Sequence, residues 1–383
     1  MAHKAAPLIA IVAGEASGDS LGAALIGALR ERCPAARFTG MAGPAMLEAG
    51  CVALAHIDQL SVMGLVEVLR AYPRLRRLRK ELGSRLLAAR PAVFVGIDVP
   101  DFNLGLARRL NRGGIPTAHY VCPQAWAWRP GRARHLSTAV DRLLALLPFE
   151  ETFFASHGVD CRFVGHPLAD TLPLAPDRAV ARSELGIAPG PLLVALLPGS
   201  RGQEIERLAP PFAAGVTALR QARGELAVVA CAAHAGQIEA LRSAIRGAAP
   251  GLAVEYLAGR AHQLMSAADV TLVASGTATL EALLCRAPMV VGYRLAPLSY
   301  HIIRRMISIP RIALPNILAA EDLVPELIQD ALTPVAIRDA LAAWLDDVPR
   351  RARYDARARE LHESLRVDGA ARAADAVLDL CCV

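Results

Sequence analysis

Short apolar runs alternate with stretches of helical periodicity along most of this chain. Runs of strand length occur at 8–13, 91–97, 143–147 and 161–164, and again at 192–197, 226–231, 253–257, 269–274 and 289–293. Segments with apolar residues at helical spacing separate them, which predicts an α/β protein built on parallel sheets. A segment rich in proline and turn residues, from Gly165-His166-Pro167 to Asp177, reads as a linker. We therefore expect two parallel-sheet domains, 1–172 and 173–348, with a central cleft between their strand C-termini. Beyond about 349 the pattern is helical, with arginines on the polar face of 349–372, and these helices are expected to pack on the first domain or on a partner subunit. Pro73 and the Pro210-Pro211 pair predict kinks or breaks in the helices that contain them.

Composition narrows the class. At 383 residues the chain is long for one core, and 54% hydrophobic residues with only 4% aromatics suit a protein rich in Ala, Leu and Val. The N-terminal apolar run is too short for a signal peptide, and no run approaches the roughly 20 apolar residues that span a bilayer. The expectation is a cytoplasmic protein, soluble or attached only to a membrane surface. Eight cysteines without a C-x-x-C pair read as reduced, mostly buried thiols, and ten histidines without H-E-x-x-H spacing signal no zinc. A net charge of +6 invites a polyanionic partner: nucleic acid, acidic lipid headgroups or a nucleotide-linked substrate.

Several loops carry candidate chemistry. The run 192–197 breaks at Pro198-Gly199, exposes Ser200 and Arg201, and passes into a helix. Free N–H groups at such a helix start, the helix dipole and an arginine fork suit a phosphate or pyrophosphate, although an ordinary β–α turn has the same pattern. Ser275-Gly276-Thr277 opens another helix, and Glu281 lies one turn after Thr277, placed to accept two ribose hydroxyls while the loop holds phosphate. Gly14-Glu15-Ala16-Ser17-Gly18-Asp19 follows the first strand; it is not the G-x-G-x-x-G fingerprint, and Ser17 or Asp19 as helix N-cap is the competing reading. Asp98 ends a continuous apolar strand, where burial raises a carboxyl toward the range of a general base. Tyr120, Trp126 and Trp128 beside Arg129, Arg132 and Arg134 can stack nucleic-acid bases, floor a sugar site or fill a core. Two basic amphipathic stretches, 61–80 and 297–312, suit a membrane surface or acyl chains, and a solvated outer helix equally fits the first. Leu314-Pro315-Asn316 reads as a loop.

Eight motifs stand in order along the chain: GEASGD (14–19), SVMGLVEVL (61–69), Ile97-Asp98-x-Pro-Asp-Phe-Asn, AWAWR (125–129), LLPGSRGQE (196–204), ASGTATLE (274–281), VVGYR (290–294) and LPNILA (314–319). Together they resemble the lipid-A-disaccharide synthases, GT-B-type glycosyltransferases. The resemblance implies a GT-B-like α/β fold of two Rossmann-like parallel-sheet domains, an N-terminal acceptor and lipid domain and a C-terminal UDP-sugar domain, with a helical C-terminal tail. It implies inverting transfer of diacylglucosamine from UDP-diacylglucosamine to the 6-hydroxyl of diacylglucosamine 1-phosphate, with neither cofactor nor metal. Asp98 becomes the general base, grouped with Glu15 and Arg201 as catalytic residues. Gly199, Ser200, Arg201, Ser275, Gly276, Thr277, Glu281 and Asn316 fall on the donor side, and Gly14, Ser17, Gly18 and Asp19 on the acceptor side. A homodimer exchanging C-terminal segments, peripheral on the cytoplasmic face of the inner membrane and without nucleic acid, is also implied. Residues 309–313 depart from the family pattern. A UDP-sugar epimerase and a nucleic-acid binder are the readings to set against it.

Overall fold

The computed structural model describes residues 6–60, 65–128, 130–296, 300 and 309–381, with the side chains of 65–71, 130 and 132 excepted. The motif start at 61–64, Arg129 and most of the second amphipathic stretch lie outside the described residues. The chain divides into two units, Met1–Asp170 with Leu365–Val383, and Thr171–Ser364.

The first unit is a parallel sheet of β1 (Leu8–Ala13), β2 (Arg37–Ala42), β3 (Cys51–His56), β4 (Val93–Ile97), β5 (Thr117–Tyr120), β6 (Arg142–Ala145) and β7 (Cys161–Phe163), in the order β3-β2-β1-β4-β5-β6-β7. Its helices are α1 (Ala16–Arg32), α2 (Pro44–Glu48), α3 (Leu65–Ala89), α4 (Pro100–Asn111), α5 (Pro148–Ala155) and α6 (Pro167–Thr171). Strands β1, β4 and β6 are buried almost throughout, as strands covered on both faces must be. Tyr120 is fully buried in β5, and Trp126 is buried with its Nε1 donating to Glu150 Oε1 at 3.0 Å. Two of the three aromatics considered for base stacking therefore fill core.

The second unit begins with α7 (Arg178–Leu185). Then follow β8 (Leu193–Leu197), α8 (Gly202–Arg223), β9 (Ala227–Ala232), α9 (Ile238–Ala248), β10 (Glu255–Ala258), α10 (Ala261–Ala267), β11 (Val270–Ala274), α11 (Thr277–Leu284), β12 (Met289–Tyr293), α12 (Leu314–Ala319), β13 (Glu326–Ile328), α13 (Pro334–Asp346) and α14 (Val348–Leu365). The sheet is parallel with the order β10-β9-β8-β11-β12-β13. Counted from its own first strand this is again 3-2-1-4-5-6, the doubly wound order, reached without the glycine fingerprint.

Some local expectations give way to tertiary packing, among them the breaks, though not the kinks, expected at proline. Pro73 lies inside α3 and Pro210-Pro211 inside α8, both unbroken. In α8 the two prolines forfeit the hydrogen bonds their own N–H groups would donate and crowd the preceding turn, while Ile205, Leu208, Phe212, Val216 and Leu219 form one buried face. Leu314-Pro315-Asn316 starts α12 rather than forming a loop, with proline in the first turn where its missing N–H is harmless. The tail also divides at a different point. Tyr354 Oη donates to Ala287 O at 2.8 Å, Trp344 Nε1 to Met289 O at 2.8 Å, and the two rings meet edge to face. These contacts keep α14 with the second unit. Only α15 (Gly369–Cys381) packs on α1, with Arg142 Nη1 donating to Ala376 O at 2.8 Å and Arg32 paired with Asp375.

The start of β8 and β11 is held by one buried carboxylate. Asp269 accepts from Arg178 at 2.6 Å, from Arg182 at 2.7 Å and from Leu193 N–H at 2.7 Å. Replacing it strands a largely buried guanidinium and a backbone donor, so Asp269→Ala is expected to cost about 3–5 kcal/mol. Urea unfolding of the variant checks this; a loss below about 1 kcal/mol would mean that water satisfies the arginines.

Candidate active site

In each sheet the strand order reverses at the first strand, so the loops leaving the two central strands part to opposite faces and leave a crevice at their C-terminal ends. In the first unit these strands are β1 and β4, in the second β8 and β11. The polar loops singled out from the sequence leave these four strands.

At the end of β4 the backbone turns through two consecutive left-handed residues, Asp98 (φ 51°) and Val99 (φ 40°). Neither is glycine, and each costs roughly 1–2 kcal/mol, more for the β-branched valine. The turn lifts Asp98 out of line with the strand and half-buries its carboxyl. Burial, and then the hydrogen bond and negative charge of Glu15, push that carboxyl up to about 6. Glu15 in turn accepts from Ser17 Oγ at 2.5 Å. Gly14 is required by this approach, because a Cβ there would stand 2.3 Å from Val99 Cγ2. Gly14, Glu15, Ser17 and Asp98 thus come together.

Gly18 and Asp19 do not join them. Gly18 is buried in the first turn of α1, where a Cβ would make ordinary contact with Ile97 and Ala13. The Asp19 carboxylate is fully used, accepting from the N–H groups of Gly43 (2.7 Å), Ala45 (2.8 Å) and Met46 (3.2 Å) at the start of α2. Its role is to fix the β2–α2 loop. Neither Ser17 nor Asp19 caps α1; the N-cap position is Glu15, whose side chain makes no capping bond to the helix.

The loop after β8 corrects a second expectation. Gly199 takes φ +115°, and Glu204 folds back over it so that its Oε2 accepts from Ser200 N–H (3.0 Å) and Arg201 N–H (3.2 Å). These donors are therefore not free for phosphate; an internal carboxylate holds them. The Arg201 side chain touches Glu204 at 3.4 Å but is 83% exposed. Gln237 Nε2 fixes the same loop by donating to Ser200 O at 2.5 Å. Tyr293, at the end of β12, is pushed above the usual phenol range by burial and then by the charge of Glu204.

Free donors occur instead at the neighbouring strand. Gly276 caps α11 with φ +144°, and the N–H groups of Gly276, Thr277 and Ala278 have no acceptor among the described residues. Ser275 is tied down, its N–H to Gly292 O at 3.2 Å and its Oγ to Ile312 O at 3.4 Å. Glu281 Oε2 accepts from His262 Nε2 at 2.9 Å, a contact that raises the imidazole above its ordinary value. This leaves the other carboxylate oxygen for a ligand hydroxyl. Asn316, by contrast, is buried and spent on Val324 and Glu326 at 2.8 Å each. These bonds shape the 312–326 region.

Sequence reasoning missed Glu204, Gln237, His262 and Tyr293. Glu204 had a signal, standing at the third position of its helix where a carboxylate reaches back to the N-cap. His262 and Gln237 had none, because each meets its partner only through sheet topology.

Two doubly wound parallel sheets in one chain, with polar loops at both switch points, define the GT-B class of glycosyltransferase fold. Solved structures of like shape include a UDP-GlcNAc 2-epimerase from Neisseria meningitidis bound to UDP-GlcNAc (TM-score 0.60, 13% identity, 97% of this chain and 98% of that one). A glycotransferase of kitacinnamycin is another (TM-score 0.61, 17% identity, 98% and 99%). At these identities the likeness concerns fold alone. The family model described as lipid-A-disaccharide synthetase matches residues 9–379. Lipid-A-disaccharide synthases from Alkalilimnicola ehrlichii and Pseudomonas aeruginosa are 50% and 48% identical, each over 97% of both chains. The chain belongs to the lipid-A-disaccharide synthase family, glycosyltransferases of lipid A biosynthesis.

The Asp98–Glu15 contact predicts a titration. In carboxyl-carbon NMR, Asp98 should show a midpoint near 6. Glu15→Gln removes one carboxylate's charge, so the midpoint should fall, yet stay above the ordinary 3.8 because burial is the larger cause. An unchanged midpoint would show that the two carboxyls do not sense one another.

Proposed function

We propose that this protein transfers 2,3-diacylglucosamine from its UDP carrier to the 6-hydroxyl of 2,3-diacylglucosamine 1-phosphate, releasing UDP and forming the β-1,6 disaccharide 1-phosphate. The observation that carries the reading is a half-buried carboxyl with its titration near neutrality, aimed from the switch point of the first sheet. In its ionised form Asp98 takes the proton of the acceptor 6-hydroxyl as that oxygen attacks the anomeric carbon. The bond from this carbon to the UDP oxygen breaks, its electron pair leaves with the diphosphate, and a single displacement inverts the centre. Arg201 and the N–H groups of Gly276, Thr277 and Ala278 hold the growing charge on the leaving diphosphate. Glu281, braced by His262, takes the ribose hydroxyls, and Ser200 with Gly199 shapes the loop beside the phosphates.

The same reading puts the protein on the cytoplasmic face of the inner membrane, as a homodimer on the family resemblance alone. Exposed Arg74, Arg76, Arg77 and Lys80 on α3 support attachment to an anionic surface. Among the described residues no helix is long and apolar enough to cross a membrane.

The test is UDP release by purified protein from the UDP-linked lipid, with and without the acceptor lipid, in the presence of a chelator. Release should require both lipids and survive chelation. Turnover of the nucleotide sugar alone would favour an epimerase, the activity named for the Neisseria meningitidis neighbour. Asp98→Asn should lower kcat on the order of 10²- to 10⁴-fold without loss of fold, and wild-type turnover would remove Asp98 from the mechanism. Arg201→Ala should weaken UDP binding roughly tenfold or more, the scale of one charge-assisted contact to phosphate; calorimetric titration with UDP reads the change, and unaltered affinity would assign the diphosphate to other residues.

A further inference from the structure

The left-handed turn at Asp98-Val99 is held by a residue that does not itself reach the crevice. Asn103, in the first turn of α4, is fully buried. Its Nδ2 lies 2.8 Å from Asp98 O, 3.1 Å from Ile97 O and 3.3 Å from Val12 O. The first two are the carbonyls of the residue that follows β4 and of its last residue; the third belongs to β1, two residues before Gly14. One amide group therefore ties the exits of both central strands, those that carry Asp98 and Glu15, to a single point.

The surroundings leave this amide little freedom. Its Oδ1 is buried without a hydrogen-bond partner among the described residues, and flipping the group would set that oxygen against three carbonyls. Gly96 leaves room for it, since a Cβ there would stand 2.9 Å from Asn103 Cβ and 3.3 Å from His119 Nδ1. His119, fully buried on β5, has neither ring nitrogen bonded, and burial lowers it to about 4, so it stays neutral beneath the turn. Beside the contact of the Asp98 carboxyl with Glu15, the turn has backbone ties: Asp98 N–H to Tyr120 O at 2.9 Å, and Phe102 and Asn103 N–H to Val99 O at 3.0 and 3.1 Å. None of these satisfies the carbonyl of Asp98.

We propose that Asn103 is a positioning residue for the reaction, holding the Asp98-Val99 turn so that the Asp98 carboxyl faces Glu15 and the acceptor hydroxyl. The proposal rests on the reading of Asp98 as general base. Without Asn103 the freed carbonyls seek other donors and the turn relaxes toward right-handed geometry, which withdraws the carboxyl while both substrate-binding surfaces persist.

The test compares Asn103→Ala with Asp98→Asn, singly and together. Asn103→Ala should lower kcat about 10- to 100-fold with KM for both lipids within about twofold, and should move the Asp98 NMR midpoint away from about 6. In the Asp98→Asn background it should cost nothing further, because the group it positions is gone. Gly96→Ala, which keeps the amide but crowds it, should give the same signature more weakly, and it serves if Asn103→Ala does not fold. A variant that folds with wild-type kcat and Asp98 midpoint, or whose loss adds in full to that of Asp98→Asn, would overturn the positioning role. The base reading fails separately, by an Asp98→Asn enzyme that turns over normally.

Discussion

A parallel strand followed by a right-handed crossover sends its helix to one face of the sheet, and where the strand order reverses two neighbouring crossovers leave to opposite faces. The loops between them have no neighbour to pack against, so their backbone groups and side chains are offered to a ligand. Both sheets here reverse once, at β1/β4 and at β8/β11. Every residue with a chemical role in the proposed reaction sits on a loop leaving one of these four strands, on the helix that the loop opens, or braces one that does.

The two crevices solve opposite electrostatic problems. In the first, a half-buried site and a second carboxyl in contact push the Asp98 carboxyl up to about 6. Its cost appears in the backbone, as two left-handed residues that surrounding hydrogen bonds keep in place. In the proposed reaction the second receives anionic phosphate at backbone donors and an arginine. Its loop after β8 is kept folded by Glu204, an internal carboxylate on the N–H groups of Ser200 and Arg201. The start of α11 keeps its donors open instead, and the Arg201 fork stands exposed beside the loop after β8.

Much of this was legible beforehand because buried parallel strands advertise themselves. The strand at 8–13 and that at 289–293 coincide with β1 and β12 residue for residue, and the loops after β1, β4, β8 and β11 were all marked by glycine or by a carboxylate ending an apolar run. Weakly apolar elements escaped: β3 has exposed positions, and β5 reads as part of an aromatic segment. The prolines of α3 and α8 do not end their helices, and in α8 a buried apolar face continues through them, which a propensity does not count. The site was legible in kind but not in allocation. Asp19 and Asn316 carry the right chemistry at suggestive positions, yet both are consumed by backbone and side-chain partners inside their own units.

By itself the sequence determined the α/β class, the division into two sheet-bearing halves, the strand-to-helix loops that bear the chemistry and, through motif order, the family. These follow from local periodicity, glycine placement and residue type, all of which are properties of neighbouring positions. Tertiary structure alone decided which polar groups are free. Whether Asp98 meets Glu15, whether Glu204 or a ligand holds the β8 loop, and whether Glu281 is braced by His262 depend on strands and helices far apart in the chain. A hydrogen-bonding group keeps no record in its own sequence of the distant partner that satisfies it, and that partner decides whether it serves the fold or the reaction.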